Sequence, residues 1–125
     1  MLAVVFGVSF ISILAIDGIV KAEARHEVLS YLDGLETADV WIDGQKVADA
    51  GIVLDMLRSM THYWAHHTHP EGRILIEIRS DRGRLVLRLR RDSCRPDEYW
   101  VYYSRYHVSD IDEIDRIRTH LLDKG

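Results

Sequence analysis

With 125 residues and a formal net charge of −4, the chain has room for one modest core and no second domain. That charge gives no overall pull toward nucleic acid, so a basic binding surface would have to be local. A lone cysteine, Cys94, excludes an internal disulfide framework, and the absence of Gly/Ser tracts and repeats argues against linkers, disorder and solenoids.

The chain opens on Leu2 to Val20, mostly Leu, Val, Ile and Phe, with Asp17 as its one charge. Summed insertion terms of about −4 to −7 kcal/mol outweigh the roughly 3 kcal/mol cost of a carboxylate that lies near one end. As a helix the stretch is roughly 28 Å long, enough for a hydrocarbon core of about 30 Å. Residues 1–20 are therefore expected to be a transmembrane anchor, and residues 21–125 a single domain. Ala22-Glu23-Ala24 has the small-x-small form of a signal-peptidase site, which would end a signal peptide near residue 24. Without Lys or Arg ahead of the apolar run, an uncleaved, single-pass anchor is the expectation. Lys21 and Arg25 place the domain in the cytoplasm by the positive-inside rule, whereas opening directly on an apolar run is how many exported small domains begin. Both sides of the membrane stay open.

Past the anchor, Val28, Tyr31, Leu32 and Leu35 recur at helical spacing, so a helix is expected to run to about Gly34. Ala38 to Ile42 reads as a short strand, and Asp43-Gly44 as a tight turn into Gln45-Lys46-Val47. Asp49 suits an N-cap, with Val53, Met56, Leu57 and Met60 forming one apolar helical face. Thr61 to Gly72 has neither period and reads as a loop.

Period two then takes over. Ile74, Ile76 and Ile78, and after them Leu85, Leu87 and Leu89, alternate with polar residues, and Ser80 to Gly83 supplies the turn of an antiparallel hairpin. A polar connection from Arg91 to Glu98 leads to a third strand, Tyr99 to Tyr103. Ser109 as cap, early acids, late bases, and Ile111, Ile114, Ile117 and Leu121 as a stripe predict a closing helix. The expected fold class is α+β: an antiparallel sheet of a hairpin plus a third strand, packed by two or three helices, with the middle and C-terminal helices covering its Ile/Leu face.

His62, His66, His67 and His69 cluster within one short stretch. On a helix His62 and His66 would share a face at i, i+4 and could chelate Zn²⁺, Cu²⁺ or Ni²⁺, with His69 adding a third nitrogen. Tyr63 stands where a zinc-protease motif carries its glutamate, and a solvated loop capping the preceding helix explains the same histidines.

Arg84, Arg88 and Arg90 share one alternation class, and Arg73 and Arg79 another; with Arg95 nearby they make a sheet face that can hold an anionic headgroup, a phosphate or an acidic partner. Trp100 and Tyr102 would supply aromatic recognition beside them, although no RNP-type motif accompanies them. The plainer reading is that the arginines keep an open face soluble and pair with Glu77, Asp81 or Asp92.

No Gly-x-Ser-x-Gly elbow, Gly-rich phosphate loop or Cys-x-x-Cys is present, so no reaction class is indicated. Taken together, the sequence points to a membrane-anchored, non-enzymatic accessory domain that binds a protein partner. Its alternatives are a histidine metal site and an arginine-rich face for anionic lipid or nucleic acid.

Overall fold

A computed structural model describes residues 21–60, 68–103 and 113–122. The expected anchor, Leu2 to Val20, lies outside the described residues; among them, no helix is long and apolar enough to cross a membrane.

Residues 21–32 form helix α1. It ends where Gly34 takes a positive φ of 67°, a conformation that glycine adopts without a Cβ clash. Ala24, Val28 and Leu32 recur along one face and are fully buried. Strand β1 (Asp39–Ile42) follows and turns into β2 (Gln45–Lys46). Asp43 and Gly44 both have positive φ, 49° and 81°, which is the type I′ geometry that matches the twist of a two-residue hairpin.

Asp49 caps α2 (Ala50–Arg58) by accepting the Ile52 N–H at 3.4 Å. At its other end, Arg58 donates to the backbone carbonyls of Leu32 and Leu35, so the close of α2 is tied to the chain that leaves α1.

The remaining regular elements of the described chain are strands: β3 (Pro70–Ser80), β4 (Gly83–Asp92), β5 (Glu98–Tyr103) and β6 (Asp115–Arg118). All pairings are antiparallel, in the order β2-β1-β3-β4-β5-β6. One sheet face carries Val40, Ile76, Ile78, Leu85, Leu87 and Leu89, and both helices pack on it to close the core. α1 crosses the sheet obliquely. Its Arg25 meets Asp115 of β6 at 2.5 Å, Glu27 accepts from Tyr103 of β5 at 3.2 Å, and Tyr31 donates to the Gly83 carbonyl at the β3–β4 turn at 2.7 Å.

Two expectations need correcting. Pro70 and Glu71 belong to β3 rather than to a loop, paired with Asp92 and Arg91. Proline is tolerated at the first position of a strand, and Gly72, at φ 65°, absorbs the register shift between Glu71 and Ile74 as a bulge.

The second concerns the closing segment, where residues 115–118 form an edge strand and not a helix. Ile117 lies opposite Tyr99, and Ile114 donates its N–H to the Val101 carbonyl at 2.8 Å. Alternation gives each buried polar neighbour a partner on its own side: Asp115 takes Arg25 on the helical face, and Arg116 takes Glu98 on the other. The helices covering the Ile/Leu face are therefore α1 and α2.

Candidate binding face

Opposite the helices lies the second face of the sheet, whose composition follows from the register. Asp39, Arg79 and Arg84 stand side by side across β1, β3 and β4, and Trp41, Glu77 and Val86 form the next row. Leu75, Arg88 and Tyr102 follow, then Arg90, Trp100 and Arg116. The strands thus bring Arg84, Arg88, Arg90, Trp100 and Tyr102 onto one face. Arg95 is not part of it; it lies in the β4–β5 connection, its N–H bonded to Asp92 Oδ2 at 3.0 Å.

The face has two unlike halves. On β5 and β6 it is closed: Trp100, Tyr102, Glu98 and Arg116 are buried. The Arg116 guanidinium lies 4.0 Å from the Trp100 ring centroid with Nη1 3.4 Å from Glu98 Oε2, and Arg88 lies 4.9 Å from the Tyr102 ring centroid. These aromatics hold arginines and offer no open ring face to a partner.

At the rim of this half, Asp92 accepts from Trp100 Nε1 at 3.0 Å, from Thr68 Oγ1 at 2.6 Å, and from the N–H groups of Cys94 and Arg95 at 3.0 Å. Burial opposes its ionisation, but those hydrogen bonds outweigh burial and hold its carboxyl below the ordinary value. Glu113 behaves in the opposite way. Burial pushes its carboxyl up, despite the positive charges of Arg116 and Lys21.

On β1, β3 and β4 the face is open. Arg79 and Arg84 have side chains 59% and 63% exposed, and Lys46, on the β2 edge, 61%. Arg79 stacks on Trp41 at 5.0 Å and Lys46 approaches the same ring at 5.9 Å. Between the guanidinium groups, Glu77 accepts from Arg84 Nε and from Arg79 Nη2 at 3.4 Å. The Arg84 bond is the leading cause that holds the Glu77 carboxyl below its ordinary value; partial burial opposes it, and the positive charges of Arg79 and Arg84 add to it. Trp41, Gly44, Leu75, Glu77, Arg79, Arg84 and Val86 line a hollow of about 320 Å³ here.

Sequence reasoning finds the arginines through their alternation and offers Glu77 as a partner, which Arg79 and Arg84 both take, but it misses Trp41 and Leu75 as their company. Trp41 sits on a strand read separately, and only the β1–β3 register sets it opposite Glu77. Of the histidines, His62, His66 and His67 lie outside the described residues. His69 is 72% exposed and its Nε2 lies 3.3 Å from Glu71 Oε1. Among the described residues no group of His, Cys, Asp and Glu is arranged to hold a metal ion.

No protein-family model, curated protein or solved structure matches the chain.

Proposed function

We propose that the protein is a membrane-anchored, non-enzymatic binding module whose open sheet face takes an acidic, extended segment of a partner protein. The observation that carries this reading is the exposure of Arg79, Arg84 and Lys46 around Trp41 and Leu75 on a face that neither helix covers. Arginine and tryptophan beside apolar surface are the residue types that dominate protein interfaces.

Same-side residues of a strand recur about every 6.8 Å. Along β4, Arg88 and Arg90 stand one such step apart and Arg84 two steps from Arg88, with Val86 between, so all three fall on the spacing of alternate side chains of an extended acidic peptide. Single-stranded nucleic acid fits less well, because it binds by stacking bases on open aromatic rings, and Trp100 and Tyr102 are buried.

The anchor part of the reading draws support from α1. Ala24 is fully buried in the core, so a cut after it would sever the helix that packs the sheet. The stretch from Leu2 to Val20 stays attached in this account and tethers the module to its membrane.

The test uses the full chain in nanodiscs of zwitterionic lipid, titrated with a fluorescent peptide of alternating Glu and Asp. Saturable binding that weakens with salt and is lost in Arg79→Glu plus Arg84→Glu supports the reading. No binding at low salt ends it. Equal or tighter binding of a single-stranded RNA oligonucleotide, or of phosphatidylserine vesicles, would replace the acidic protein with that ligand.

A further inference from the structure

The hollow between Trp41 and Val86 has a floor and walls of unlike chemistry. Leu75, 40% exposed, Val86 and the Trp41 ring are apolar, while Arg79 and Arg84 stand beside them with Glu77 held between. A guanidinium has five N–H donors. Each of these two is seen to spend one on Glu77, and the greater part of each side chain is open to solvent. A resident carboxylate thus demonstrates the geometry by which the pair holds an anion. At about 320 Å³ the hollow is at the small end of ligand pockets, a size for one side chain and not for a cofactor.

We propose that this hollow is the anchor subsite of the face, taking one apolar side chain of the acidic partner segment while the carboxylates that flank it bond to Arg79 and Arg84. The proposal rests on the reading of the open face as an acidic-segment binder. Glu77 is the internal competitor in this arrangement: its charge raises the cost of bringing another carboxylate to the same two arginines. Specificity then has two parts, an apolar contact that selects the segment and a charge requirement that the partner must meet against Glu77.

Two labelled peptides separate the possibilities, both of alternating Glu and Asp, one with a central Leu and the other with Ser in its place. They are titrated into the full chain in zwitterionic nanodiscs. The Leu peptide is expected to bind about ten-fold tighter than the Ser peptide, and the preference is expected to disappear in Leu75→Ser and, independently, in the near-isosteric Val86→Thr. Glu77→Gln is expected to tighten both peptides. If both peptides bind wild type equally, the hollow is not the anchor, although the face still binds acid. If the preference survives Leu75→Ser and Val86→Thr, the apolar side chain is held elsewhere and the proposal falls. If neither peptide binds, the reading of the face fails and this proposal with it. A doubling of mass in light scattering that Leu75→Ser abolishes would assign the hollow to a second copy of this chain and overturn the proposal.

Discussion

The Trp100 indole donates to Asp92 Oδ1 at 3.0 Å across β4 and β5, and that carboxylate also ties Thr68 and the start of the β4–β5 connection to the sheet. Replacing Asp92 with Ala removes the acceptor for four donors at once. The expected loss is about 3 kcal/mol, read by urea denaturation at pH 7.

The same carboxylate gives a pH dependence of fixed sign. Its folded pKa is depressed, so its contribution is present above the unfolded value of about 3.9 and is lost as pH falls through the lower folded value. The stability gap between wild type and Asp92→Asn should therefore narrow in acid. A gap that widens on acidification would contradict the assignment.

Glu113 carries the opposite sign. Its folded pKa is raised by burial, so its favourable contribution holds below the unfolded pKa and is lost as pH rises through the folded one. Glu113→Gln should be more stable than wild type at pH 7 and gain nothing at pH 3. Denaturation curves at the two pH values check both halves of that statement.

Arg116 is 4% exposed and its partner Glu98 is fully buried, with Glu98 Oε1 lacking a hydrogen-bond partner among the described residues. Removing the cation alone, in Arg116→Met, leaves a buried carboxylate uncompensated and should cost about 3–5 kcal/mol. Arg116→Met with Glu98→Leu should recover most of that loss. A double variant no better than the single one would mean that packing on Trp100, and not the ion pair, dominates.

The two hairpins were legible because their signals were local. Ile74 to Ile78 and Leu85 to Leu89 alternate, and Asp43-Gly44 provides the positive φ that the first turn needs. The closing segment was not legible, because its local signals pointed the wrong way. Ile114 and Ile117 are three apart, as on a helical stripe, and acids precede bases as at a helix dipole. What decides for a strand is distant: Tyr99 opposite Ile117, Arg25 for Asp115, and Glu98 and Trp100 for Arg116.

The same distant contacts shape the site. Parity alone sorts the arginines onto a face, but Trp100 closes over Arg116, which belongs to the segment whose local signals predict a helix. The exposed half is set by the β1–β3 register.

Hydrogen exchange tests the corrected element. Amides of residues 115–119 should show alternating protection in phase with Thr119, bonded to the Asp97 carbonyl at 2.8 Å, and Ile114, just ahead of the strand and bonded to the Val101 carbonyl at 2.8 Å, should be protected as well. Ile117→Ala should cost about 2–5 kcal/mol as a fully buried core truncation. Unbroken protection along the segment would instead mark a helix.

The most direct test of the central claim is a chemical-shift map of the isotopically labelled full chain, in nanodiscs, with and without the acidic Leu peptide. The account predicts that the largest changes fall on Trp41, Leu75, Glu77, Arg79, Arg84 and Val86, with α1 and α2 unmoved. Changes confined to the helices, or none at saturating peptide, would contradict it.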